Sequence, residues 1–215
     1  VSITTYSELQ TAVRNRLGGR SDLSDAQIQE FIELGETELN TQLRLRDMET
    51  STTLSLSSGE QSIDLPTGYI EDISLQYQFN DYAIERKALK DLNRAVDDAA
   101  TRPRFYAISD AIDFEAPSDG SYSFTFAYFK GYDLATDDTN TLLTKYPKTY
   151  LYASLVEAAA YSRNGEREAF WQAKRDEAVN SANRVDGRTR RNAKMRTDDA
   201  FASGGVRYDS TRLSL

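Results

Sequence analysis

The sequence predicts an α+β chain: a four-helix bundle, two helices from each end, with an inserted antiparallel β domain and an extended C-terminal arm. Three observations predict it. Apolar residues recur at helical spacing before residue 47 and again after 140. Between those stretches the hydrophobic period falls to two. A basic run, Arg184 to Arg196, follows the last helical stripe. Two amphipathic helices at each end bury their stripes more easily on one another than on a distant sheet. The expected boundaries are 1–47 and 140–185 for the bundle, 48–132 for the β domain and 186–215 for the arm.

Thr5 and Glu8 have capping-box spacing, and Tyr6, Leu9, Val13 and Leu17 form the stripe of a first helix that Gly18-Gly19 stops. Ser24 and Gln27 repeat the capping signal. Ile28, Ile32, Gly35, Leu39 and Leu43 follow as one stripe, widened by Phe31 and Leu34, so the second helix is expected to reach about residue 46. Leu54 and Leu56, then Ile63 and Leu65, alternate about Ser58-Gly59, which predicts a hairpin over 50–65. Ile73, Leu75, Tyr77 and Phe79 alternate up to a two-residue turn at Asn80-Asp81, and Tyr82 and Ile84 return. A short helix is expected over 88–99, with Leu89, Leu92 and Val96 on one side, before Arg102-Pro103 blocks it. Tyr106, Ile108, Ile112 and Phe114 lead to a turn at 117–120. Then Tyr122, Phe124, Phe126 and Tyr128 mark the strongest strand, more naturally a core face than a sugar-binding platform. After a polar connection over 133–141, a helix of about 20 residues begins at Tyr146. A last one runs from Glu166 to about Val185, with Phe170, Trp171, Ala173, Ala178 and Ala182 inward and Gly187 at its end.

Composition narrows the function. The chain has no cysteine and no histidine, so within it disulfides, thiolate chemistry, a Ser-His-Asp triad and a typical zinc site are excluded. No apolar run approaches bilayer length, and the N-terminus has no charged-then-apolar leader, so no membrane role is expected. No cofactor motif is present; Gly18-Gly19 follows a helix, the wrong setting for a phosphate loop. From Arg184 to the end there are eight basic and four acidic residues, about +4, which leaves 18 basic and 30 acidic residues, −12, for the rest. An acidic body repels nucleic-acid phosphates, while a basic arm with few large apolar side chains suits contact with a partner.

The candidate residues follow from this. Arg184, Arg188, Arg190, Arg191, Lys194 and Arg196, with Phe201 and Tyr208 beyond, are read as an arm that folds on an acidic or grooved protein surface rather than as a merely solvated end. Tyr146, Tyr150, Tyr152 and Tyr161 surround the third long helix on more than one side, which calls for a second neighbour in the fold or a neighbouring subunit. The subunit is the reading preferred. Asp110, Asp113 and Glu115 cluster as an acid–base pair would, but alternation puts Asp113 and Glu115 on the solvent face opposite Ile112 and Phe114. Asp97-Asp98 and Asp137-Asp138 lack calcium-loop spacing and are read as a helix end and a loop.

Taken in order, several segments resemble the head-to-tail adaptor (connector) proteins of short-tailed phages. They are the Tyr6-Ser7-Glu8-Leu9 helix, Ile28 to Ile32 with Glu36 to Asn40, Ile63-Asp64-Leu65-Pro66, Arg102 to Ala107, Tyr122 to Tyr128, and Tyr146-Pro147 leading to Leu151-Tyr152-Ala153 and Glu157-Ala158-Ala159. The resemblance weakens after about residue 190. It implies a non-enzymatic virion protein of the head–tail interface, assembled in the host cytoplasm as a ring of twelve copies beneath the portal protein. The arm would reach up the portal, and the β domain would meet a tail tube or nozzle protein. Genomic DNA would pass an acid-lined channel without specific binding, on its way out during ejection. The rival readings are a β-rich partner- or glycan-binding module of a tail or baseplate, with the 122–128 aromatics exposed, and a hydrolase built on Asp110, Asp113 or Glu115.

Overall fold

The computed structural model describes residues 3–19, 22–79, 82–92 and 99–202, with 188–202 as helical backbone. Both capping boxes form. In α1 (Tyr6–Arg16) the Thr5 hydroxyl accepts from Glu8 N–H, and the Glu8 carboxylate takes Thr5 N–H in return. In α2 (Asp25–Gln42) Ser24 and Gln27 do the same. Gly18, at φ +80°, takes the left-handed conformation that ends the first helix.

The second helix stops at Gln42 rather than near 46. Leu43 is extended, at φ −100° and ψ 139°. Leu43, Leu45 and Met48 are all buried, and an extended segment with one short helical turn (Arg46–Met48) buries all three. Arg44 points the other way and donates from Nη1 to the carbonyls of Asn40 and Leu43 at the helix end. Leu34, expected to widen the stripe, is half exposed.

Seven strands follow: β1 (Glu49–Leu56), β2 (Ser62–Asp64), β3 (Tyr69–Tyr77), β4 (Ala83–Arg86), β5 (Phe105–Ile108), β6 (Ala111–Phe114) and β7 (Tyr122–Lys130). They form one sheet in the order β1-β7-β3-β4-β5-β6-β2. The first and last strands of that order are consecutive in the chain and touch, so the sheet is a nearly closed barrel. The expected 50–65 hairpin does not form: β1 pairs with β7 from Glu49↔Phe129 to Leu56↔Tyr122, and β2 pairs with β6 through Ile63↔Ile112. Nor is every pairing antiparallel, since β4 and β5 run parallel.

Strand β3 shifts register twice, between Tyr69 and Glu71 and between Asp72 and Ser74. A bulge of this kind breaks strict alternation, which leaves Ile73 exposed although Leu75 and Tyr77 are buried. Phe79 lies beyond the strand and is exposed, and Tyr77 N–H bonds Tyr82 O, so the β3–β4 connection is longer than two residues. The Asn80-Asp81 turn itself lies outside the described residues. Of the helix expected at 88–99, Leu89–Leu92 is α3, Leu89 is exposed, and 93–98 lie outside the described residues.

The C-terminal part differs most. The polar connection contains α4 (Leu134–Asp137), capped by Asp133, and α5 (Thr141–Lys145), capped by Asn140. Pro147, which has no N–H to offer, starts α6 (Pro147–Tyr161) afresh. The last helix, α7 (Gly165–Ala202), is 38 residues long and passes straight through Gly187, which costs a helix only about 1 kcal/mol. Over residues 165–187 its buried positions are Arg175, Val179 and Ala182, with Trp171 partly covered; Phe170 and Ala173 face outward.

The expected architecture is therefore corrected. The chain is α+β with seven helices and a seven-stranded, nearly closed sheet among the described residues, not a four-helix bundle with a small inserted domain. Residues 186–202 are helix, not an extended arm. The sheet is too large to be an ornament on the helices because it closes on its own core. Phe114, Phe124, Phe126 and Tyr77 fill it, with Phe114 stacked on Phe124 at 5.4 Å. A second core joins α1, α2, α5, α6 and α7. There Gly35 lets two backbones approach: a Cβ on it would stand 2.9 Å from Ala153 C and 3.0 Å from Ser154 N.

Candidate functional site

Tyr150, Tyr152 and Tyr161 lie on α6, and Tyr146 caps its start. Tyr150 is fully buried and Tyr146 partly so, and Tyr152 stacks on Trp171 of α7 at 5.7 Å. The second neighbour that the aromatic helix calls for is thus supplied by this chain's own α2 and α7. Tyr161 is different. It is 57% exposed, its ring lies 5.4 Å from Phe31, and its hydroxyl accepts from Gln27 Nε2 at 2.7 Å.

Tyr150 belongs to a buried junction that sequence periodicity gave no reason to expect. Its hydroxyl donates to Glu36 Oε1 at 2.5 Å and accepts from Asn140 Nδ2 at 2.8 Å. Leu134 N–H donates to both Glu36 oxygens, at 3.0 and 3.2 Å. One helical turn on, Asn40 bonds both backbone groups of Tyr132. Helix α2 thereby grips the segment leaving β7. Burial pushes the Glu36 carboxyl above its ordinary range; the bonds from Tyr150 and Leu134 oppose the shift, and Asp133 and Asp137 add to it.

The members of the acidic cluster have different surroundings. Strand β6 ends at Phe114, and Glu115 turns inward rather than onto the solvent face expected for it. It is 4% exposed and accepts from Arg104 N–H at 2.8 Å and Phe105 N–H at 3.0 Å, holding the start of β5. Asp113 accepts from Ser109 Oγ, and Asp110 lies exposed in the β5–β6 turn. Asp137 and Asp138 close α4, and Asp97-Asp98 lie outside the described residues. Among the described residues no group of acids could hold a metal ion. The 122–128 aromatics point into the barrel, so they form no exposed platform for a glycan. No described helix is long and apolar enough to cross a membrane.

The basic run begins on α7, beside a contact with the segment after α2. Arg46 N–H donates to Asp186 Oδ1 at 3.1 Å, and Arg184 beside it is exposed. Arg188, Arg190, Arg191, Lys194, Arg196 and Phe201 then lie on the helical continuation to Ala202; Tyr208 lies outside the described residues. Sequence also missed Arg175, which occupies a core-facing position of α7. It stays buried by bonding Asp176 at 2.9 Å and approaching Glu38 at 3.9 Å.

One family model, described as SU10 adaptor protein, matches residues 4–198. No curated protein matches the chain.

Proposed function

The chain belongs to the SU10 adaptor protein family, and we propose that this phage structural adaptor is the head-to-tail adaptor, assembling as a ring (twelve copies) beneath the portal. The ring extends the DNA channel, and the β barrel presents the platform on which tail proteins dock. The observation that carries this reading, beyond the family itself, is the charge asymmetry mounted on α7. Past Asp186 the helix runs on to Ala202, about 24 Å at the usual rise per residue. Five basic residues sit on that stretch, and the body behind it is acidic. Such a helix suits an acidic or grooved portal surface, and the carboxylate-rich body lets DNA slide without sticking. In this reading the helical part faces the portal and the barrel faces the tail. Co-sedimentation of the chain with the portal protein tests it: the full chain pellets with the portal, and a chain ending at Val185 does not. Equal recovery of both would contradict it.

A further inference from the structure

Resting on the ring reading above, we propose that copies join head to tail, the acidic outer face of α2 in one copy seating in a basic-rimmed groove of the next. The groove lies where the end of α1 meets α6 and the start of α7, with a volume of about 480 Å³. Leu17, Leu155, Phe170 and Trp171 give it apolar walls, and Arg16 and Arg167 stand on its rim. Among the described residues neither arginine has a carboxylate partner.

The matching ridge is on α2. Leu34, 49% exposed, stands one turn beyond Phe31 on the flank where Tyr161 packs, and Glu30 and Glu33 lie exposed beside it. Apolar centre meets apolar walls, and carboxylates meet guanidiniums; that complementarity selects a second copy as the occupant. The two surfaces also sit on different sides of α6. Ala153, Ser154 and Tyr161 meet α2, whereas Leu155, Ala158, Ala159 and Ser162, on another face of the same helix, line the groove. A copy therefore does not fill its own groove with its own ridge. Two different patches meeting head to tail make a heterologous contact, the kind that closes into rings.

The absence of cysteine makes the contact directly testable. Leu34→Cys and Phe170→Cys, both at exposed positions, are prepared separately, checked by thermal unfolding, mixed with portal protein and treated with a short bis-maleimide. The contact predicts a cross-linked dimer in the mixture of the two variants and none with either alone. In the double variant, a ladder of oligomers follows. Adding Arg167→Glu to the double variant sets acid against acid and lowers the ladder about tenfold; Glu30→Arg on top of it restores the yield. Assembly on the portal without the mixed cross-link, or cross-links within a single variant, overturns this contact and leaves the adaptor reading standing. A wild-type chain that fails to assemble on the portal overturns both.

Discussion

The Tyr150 hydroxyl and the Glu36 carboxylate meet at 2.5 Å inside the protein, where α6 and α2 clasp the segment that leaves the barrel. Removing the acid leaves the Tyr150 hydroxyl and Leu134 N–H buried without their acceptor. Glu36→Ala is expected to cost about 2–4 kcal/mol, read by urea denaturation. Tyr150→Phe, which keeps the ring but leaves Glu36 and Asn140 short of a partner, is expected to cost about 1–3 kcal/mol.

The same carboxyl sets a pH dependence. Its folded-state pKa is raised, so the native state holds the Glu36 proton more tightly than the unfolded chain does. The stabilisation is complete below the ordinary glutamate range and is lost as pH rises through the raised folded value. Glu36→Gln stays neutral throughout. Melting temperatures of wild type relative to Glu36→Gln should therefore fall across that window; parallel curves would refute the assignment.

Glu115 predicts a different defect. With Glu115→Ala the Arg104 and Phe105 amides lose their acceptor at the mouth of β5, a loss of about 2–4 kcal/mol. Hydrogen exchange should quicken first at those two amides and in the adjoining pairs of β5. Unchanged exchange there would mean that the carboxylate is dispensable.

At Gly35 the neighbours are backbone atoms of α6, which cannot swing aside as a flexible side chain does. Gly35→Ala gains helix propensity worth about 1 kcal/mol but must push α2 from α6, for a net loss of about 1–3 kcal/mol. A higher melting temperature for the variant would show that the helices separate freely.

The basic continuation of α7 should govern partner binding rather than folding. Replacing Arg188, Arg190, Arg191, Lys194 and Arg196 by Gln, itself a good helix former, is expected to leave the melting temperature within about 2 °C. Portal binding should weaken, and its dependence on salt should flatten. Titration at two ionic strengths measures both.

Much of the fold was legible where one local signal settled the matter. The two capping boxes and the alternating β7 strand were of that kind, because cap chemistry and period-two burial act within a few residues. The β1–β2 hairpin was not: turn residues at Ser58-Gly59 say that the chain turns, and only long-range pairing says that β7 and β6 are the partners. Gly187 misled because its small helix penalty is readily outweighed in a 38-residue helix. Glu36, Glu115 and Arg175 were invisible for a common reason. Each is a charged residue buried against another segment of the chain (Tyr150 and Leu134, Arg104 and Phe105, and Glu38, respectively), and no pattern along one segment reveals it. The basic run, by contrast, was plain from composition, although its helical form was not.

Native mass spectrometry of the chain mixed with its portal protein tests the central claim most directly. The account predicts a portal complex carrying a closed set of adaptor copies, twelve in number, and the same mixture made with a chain truncated at Val185 should show the bare portal alone. A portal that emerges at its own mass beside free full-length chain would contradict it.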